Sequence, residues 1–319
     1  MRPTRHVTAV MLLAAFGAVG CSKSKEAPQA KQVSTDVAQK TPTLIPAAVG
    51  TDGEGFVSGA APKISSSFAD GEAAFNARKY AEATAIFESY VGSRPRNVWG
   101  HYMLGLSAWK SGDLPKSEQA FEQALSLDDS HMKSLVNESR LFIDQKRYDE
   151  AIDRLTRASE VDPESAVVFR LLGRTHTAKG ETDEAIEAYR AAIEVNESDA
   201  WSMNNLGLLL IEIKRADEAL PLLAKAVELR SDVAEFHNNL GMALEHTGRF
   251  KAAAKAYGDA LTTNAAYSKA KKNLARVEAV KSGPEEPFDV EQAAKKVQPP
   301  TKDAGVVSPT ADHSPVGTK

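Results

Sequence analysis

The sequence predicts an all-α chain, a solenoid of stacked helix hairpins flanked by disordered segments. Three observations predict it. Apolar residues recur at helical spacing. In Ala200–Leu229, Leu206, Leu209, Leu210 and Ile213 fall at i, i+3, i+4 and i+7, and Ala219, Leu223, Ala226 and Val227 continue the pattern. The short polar Lys214-Arg215-Ala216 between these halves favours two antiparallel helices. Small residues then return every 34 positions without an insertion. Stepping from Gly207 gives Gly71, Gly105, Ser139, Gly173, Gly241 and Ala275, and stepping from Ala219 gives Ala83, Ser117, Ala151, Ala185 and Ala253. Stepping from Ala226 gives Tyr90, Ala124, Ala158, Ala192 and Ala260. A single hairpin cannot bury both of its apolar faces, so the copies must stack.

The period and the small-residue positions together resemble the tetratricopeptide repeat (TPR), with one small residue in the first helix and two in the second. The resemblance covers 64–267 in six units: 64–97, 98–131, 132–165, 166–199, 200–233 and 234–267. It implies a right-handed superhelix. Residues 268–282 repeat the first-helix pattern, with Leu274 and Ala275 in register and Lys269, Lys271, Lys272 and Arg276 on the other face. Such a polar half-repeat caps an open end.

The N-terminus, 1–20, reads as a secretion signal: Arg2 and Arg5 precede an apolar run, Val7–Val19, too short to span a bilayer. Ala18-Val19-Gly20-Cys21 resembles the bacterial lipobox, which implies cleavage before Cys21 and lipid on its sulfur. Ser22 after it implies onward export, to the periplasmic face of the outer membrane in a Gram-negative cell. Cys21 is the only cysteine, so no intramolecular disulfide forms. Residues 21–63 form a linker rich in Ala, Pro, Thr, Ser and Lys, of about 35 Å mean reach if flexible. Residues 283–319 hold six prolines and little apolar content and are predicted to be disordered.

Within the repeats, Asp70 and Glu138 stand where other copies have Leu104, Leu172, Leu206 and Leu240, so each must stay wet or find a partner. Gly112, Gly180 and Gly248 suit left-handed hairpin turns, whereas Arg78, Lys146 and Lys214 take that conformation at a cost or turn differently. Asp149-Glu150, Asp183-Glu184 and Asp217-Glu218 complement the starts of second helices, and Pro221 is expected to delay or bend its helix.

Composition and motifs exclude several functions. Without 1–20 the chain carries 37 basic and 43 acidic side chains, net −6, so no basic surplus is available for nucleic acid. The histidines lack metal-ligand spacing, and His101 and His237 share a packing position. No phosphate loop or serine elbow is present. The expectation is a non-enzyme with no cofactor, no metal and no small-molecule substrate.

The resemblance implies that first helices line a concave groove. Its groove positions here are Trp99, Tyr102 and Trp109, then Lys133, Asn137 and Arg140, then Arg170 and Arg174, then Trp201, Asn204 and Asn205, then Asn238 and Asn239. Asparagine amides match a peptide backbone, and the arginines favour acidic groups. The expected function is a membrane-anchored adaptor of the bacterial envelope that holds a protein segment in this groove, resembling pilotin lipoproteins that help a secretin assemble. The alternative is a structural or regulatory scaffold that dimerises or docks on cell-wall enzymes through its convex face. Trp99 and Trp201 equally suit packing between neighbouring repeats.

Overall fold

The computed structural model describes residues 67–280 and 283–297. The expected signal segment 1–20, Cys21, the expected linker over 21–63 and residues 298–319 lie outside them. The described residues form fourteen helices. The first helices of the repeats are α1 (Phe68–Asn76), α3 (Val98–Ser111), α5 (Met132–Asp144), α7 (Ala166–Lys179), α9 (Ala200–Glu212) and α11 (Ala234–His246). Their partners are α2 (Tyr80–Ser93), α4 (Leu114–Leu127), α6 (Tyr148–Val161), α8 (Thr182–Val195), α10 (Ala216–Leu229) and α12 (Phe250–Thr263). α13 (Ser268–Glu278) and α14 (Val290–Ala294) complete the chain. Each even helix packs on the odd helix before it and on the one after it, which stacks the hairpins into a solenoid.

The period has a packing cause. A Cβ built on Gly71, Gly105, Gly173, Gly207 or Gly241 would lie 2.6 or 2.7 Å from Phe87, Phe121, Tyr189, Leu223 or Tyr257 respectively. The large residue of each second helix therefore occupies the space a side chain would need. In the third repeat Ser139 and Leu155 stand at these places, both fully buried. The alanines at the next small position, from Ala83 to Ala253, have no exposure, and Ser117 takes the place of one by donating its hydroxyl to the Gly105 carbonyl at 2.8 Å. Tyr90 stands where the other copies have alanine. Gly100 opposite it makes the room, since a Cβ there would meet the Tyr90 ring at 2.9 Å.

The hairpin turns all use the left-handed region. Gly112, Gly180 and Gly248 have φ of 91°, 89° and 77°, and Arg78, Lys146 and Lys214 take 60°, 61° and 65°. The three charged residues bear the cost, about 1 kcal/mol each, and the turn geometry stays uniform. Pro221 does not delay its helix. α10 starts at Ala216, in step with Thr182 and Phe250, and Asp217, whose carbonyl loses its donor, is exposed to solvent.

Glu138 is fully buried. One carboxylate oxygen accepts from Arg154 Nε at 2.5 Å, and the other has no hydrogen-bond partner among the described residues. Burial pushes its pKa up against the pull of Arg154.

The expectation of disorder from residue 283 onward is corrected over 283–297. Glu285 accepts from the backbone N–H groups of Lys251 at 2.8 Å and Ala252 at 3.3 Å, at the start of α12, where the N-cap Arg249 makes no side-chain cap. α14 then lies on α10, burying Ala293 and Ala294, with Phe288 and Val290 packed against the same core. The segment has too few apolar residues for a core of its own, but it adds these to a core already built. That core runs unbroken from Ala185 to Ala294. The buried apolar residues clustered along α1 to α7 fall into three smaller groups.

Gly207→Leu is expected to lower stability by roughly 1–3 kcal/mol or more, and pairing it with Leu223→Ala should cost less than the two changes summed. A wild-type melting temperature for Gly207→Leu would refute this helix contact.

Candidate functional site

The odd-numbered helices touch in two runs, α3 with α5, and α7 with α9, α11 and α13 in turn, and the charges of Arg170 and Arg174 on α7 are near enough to act on Arg140 of α5. All thirteen expected groove residues lie on these helices, but they fall into three groups with different environments.

An aromatic group stands at the N-terminal end. Trp99 is 47% exposed and meets Tyr102 and His131 edge-on at centroid distances of 5.8 and 4.9 Å. Lys133 reaches back over the Trp99 ring at 4.7 Å. These residues border an open cavity of about 630 Å³, whose wall also includes Phe68, Tyr90 and Met103, with Glu72 at its edge. Trp109 is instead half-buried beneath Lys110 and packs against the Tyr102 and Phe121 cluster. Trp201 is exposed on one side and edge-on to Phe236 of the next repeat at 4.9 Å, so it packs between repeats.

A cationic group lies in the middle. Arg140 donates to Asn137 Oδ1 at 3.3 Å, and Asn137 donates to the Lys133 carbonyl at 2.8 Å and to the Tyr102 hydroxyl at 3.4 Å. Burial, then the Arg170 and Arg174 guanidiniums, pull the Arg140 pKa down. Arg170 differs from its neighbours. Its Nη1 donates to both oxygens of Asp199, at 2.7 and 2.6 Å, and Asp199 is almost fully buried while capping α9 through the Ser202 N–H and hydroxyl. The expected ligand-facing role of Arg170 is therefore corrected: its charge is neutralised within the fold. Among the described residues no ion pair engages Arg140 or Arg174, and Arg174 is exposed.

The asparagines form the third group. Asn204, Asn238 and Asn239 are buried, and only Asn205 is partly open. Asn239 Nδ2 donates to Asn204 Oδ1 at 2.9 Å, and Asn204 Nδ2 donates to Asn205 Oδ1 at 3.4 Å. Asn238 Nδ2 donates to Asn239 Oδ1 at 3.2 Å, and Asn273 Nδ2 donates to Asn238 Oδ1 at 3.0 Å. The expected peptide-facing role of Asn204, Asn238 and Asn239 is corrected, because all three are buried and bond their amides to one another and to their neighbours. Asn205 shares a smaller cavity, about 240 Å³, with Arg174, Tyr189 and Glu212.

The network includes residues that the sequence reading missed, namely Asn273, Arg276 and Glu245. Asn273 stands one 34-residue step beyond Asn239, so carrying the step into α13 would have found it. His101 and His237 are structural. Each is buried and meets a backbone carbonyl through Nε2, of Pro95 at 2.8 Å and of Ser231 at 2.9 Å. Among the described residues no cluster of His, Cys, Asp or Glu suits a metal ion, and no helix is long and apolar enough to cross a membrane.

Comparison with known proteins places this surface in context. A family model described as TPR repeat matches residues 173–214, and one described as tetratricopeptide repeat matches 68–132 and 204–270. The Hsp70-Hsp90 organizing protein of Triticum aestivum is 32% identical over 76 residues, which are 24% of this chain and 13% of that protein. The match thus spans a small part of that relative. Among solved structures, PilF of Pseudomonas aeruginosa is 17% identical with a TM-score of 0.55, covering 65% of this chain and 95% of that one. The Cut9-Hcn1 hetero-tetramer of the APC/C is 18% identical with a TM-score of 0.53, covering 66% and 41%. At these identities the likeness is one of fold. No catalytic family is among these matches.

The arginines should separate by experiment. Arg170→Ala strands the buried Asp199 carboxylate and is expected to cost about 3–5 kcal/mol. Arg174→Ala should change stability by no more than about 0.5 kcal/mol. Equal melting temperatures for the two variants would contradict the assignment.

Proposed function

The chain belongs to the tetratricopeptide repeat family, whose fold is a protein-interaction scaffold, and from that premise we propose that it is a lipid-anchored adaptor of the bacterial envelope. In this reading it is not an enzyme and takes no cofactor. Its groove holds an extended protein segment, with a bulky apolar side chain against Trp99 and an acidic group at Arg140 and Arg174. The observation that carries the reading is that Arg140 and Arg174 have no ion pair among the described residues, with Arg140 near Tyr102 of the exposed aromatic cavity and Arg174 lining the smaller one. Arg170, by contrast, is paired with Asp199 within the fold. The wheat relative, by its name, organises two other proteins. The finer form of the proposal is a pilotin-type role at the periplasmic face of the outer membrane, assisting assembly of a larger complex.

A second reading, docking through the convex face, is favoured by one observation. The outer surface of α10 already holds a segment, Gly283–Val297 of this chain.

Membrane attachment is tested at Cys21. Wild type is expected to incorporate labelled fatty acid and to partition with membranes, and Cys21→Ala is expected to do neither. Labelling of the variant, or no labelling of the wild type, would remove the anchor from the proposal.

The groove is tested with the partner recovered by crosslinking in native membranes. Arg140→Ala combined with Arg174→Ala should weaken its binding about tenfold or more and flatten the dependence on salt. Exposed substitutions on α10 and α12 should leave binding unchanged. The opposite pattern, loss at the convex face and none in the groove, would favour the second reading.

A further inference from the structure

The asparagine network has a direction, and the direction has an origin. Each link runs the same way along the chain of amides, with Asn273 donating to Asn238, Asn238 to Asn239, Asn239 to Asn204, and Asn204 to Asn205. An amide chain of this kind could run either way, because every asparagine offers both an oxygen and an NH₂ group. Its C-terminal end removes the choice. Arg276 Nη1 donates to Asn273 Oδ1 at 3.0 Å, and a guanidinium has no acceptor to offer. Arg276 is itself fixed by two bonds to Glu245, from Nε at 2.8 Å and from Nη2 at 2.7 Å, and Glu245 also accepts from the Tyr257 hydroxyl at 2.8 Å. Once Asn273 Oδ1 is taken by Arg276, its nitrogen must donate onward, and every later amide follows.

We propose that Arg276, on the capping helix, is a positioning residue for the groove: through this chain it makes Asn205 present its NH₂ group, and so selects an acceptor oxygen at that place on the bound segment. The inference rests on the groove reading for its functional meaning. Asn205 Oδ1 is occupied by Asn204, and its nitrogen is bonded to no other described residue, beside Arg174 in the smaller cavity. Both groups are donors, so an acceptor oxygen fits between them and a ligand N–H does not; Glu212 on the same cavity wall disfavours a fully charged anion and leaves a carbonyl oxygen as the best match. Cap and groove are thereby linked although Arg276 and Asn205 lie on helices two apart in the stack of first helices, α13 and α9.

The test uses the full chain and needs no ligand. Asn273→Asp replaces an amide by an acceptor-only carboxylate next to Arg276, so Asn238 must donate toward position 273 and every later link reverses. Asn205 then donates to Asn204 Oδ1 and turns its oxygen to the groove. Side-chain NH₂ exchange, read by proton–nitrogen NMR, is expected to be fast at Asn205 in wild type. In Asn273→Asp it should slow several-fold at Asn205. A merely loosened structure would speed it instead. Arg276→Leu, which leaves the end of the chain without a director, should give a rate between the two. Exchange at Asn205 that is unchanged or faster in Asn273→Asp would overturn the proposal. Because exchange is measured on the free protein, a groove that binds no segment would leave this result standing and count only against the adaptor function.

Discussion

The packing of each hairpin depends on one contact, a first-helix position with almost no side chain set against a large residue sixteen positions later. Phe87, Phe121, Leu155, Tyr189, Leu223 and Tyr257 fill that place in the six copies, and in the five that face a glycine their rings or branches stand where a Cβ would otherwise meet them. This contact fixes how close the two helices come. It therefore fixes the tilt of each hairpin and the way the next one stacks. The invariance of the helix starts, 34 residues apart from Tyr80 to Phe250, follows from repeating one such contact. Variation is tolerated only in compensated form, as with Tyr90 against Gly100 and the Ser117 hydroxyl bonded to the Gly105 carbonyl.

With the hairpins fixed, the surface of first helices divides by how completely its polar groups are satisfied. Toward the C-terminal end almost every amide is bonded to another, and the network closes on Arg276 and Glu245. Such a network is stiff, because moving one member strands the rest. In the middle and toward the N-terminus, Arg140, Arg174 and the face of Trp99 retain unused capacity. A surface with a rigid end and an unsatisfied middle suits recognition of something brought to it.

The fold was legible in the sequence because its cause is periodic. Small residues at fixed intervals are a direct record of close helix approach, and the turn glycines mark the left-handed residue that Arg78, Lys146 and Lys214 also adopt. The site was legible only as a set of positions. Position alone does not tell a ligand-facing arginine from one already paired: Arg170 and Arg174 are one helical turn apart, yet only Arg170 is bonded to Asp199, the N-cap of α9. The same holds for Asn205 and Asn239, which are equivalent by period but differ in their partners: Asn239 donates to Asn204 of the preceding repeat, whereas the matching place before Asn205 holds Arg170, which has no acceptor to offer. The docking of Gly283–Val297 was hidden by composition. Its prolines and charges dominate any average, while Phe288, Val290, Ala293 and Ala294 are enough to settle on a surface already built.

The uneven continuity of the apolar core bears on how the chain is made. From Ala185 to Ala294 the buried residues form a single cluster, closed by α14, while the earlier repeats hold theirs in three smaller patches. Neighbour-to-neighbour arrays fold outward from wherever a nucleus first becomes favourable. Synthesis delivers the N-terminal repeats first, yet the strongest nucleus emerges last, and the fully buried Glu138 lies on the way back from it. On this packing the C-terminal repeats are the expected nucleus, from which the earlier hairpins take their register.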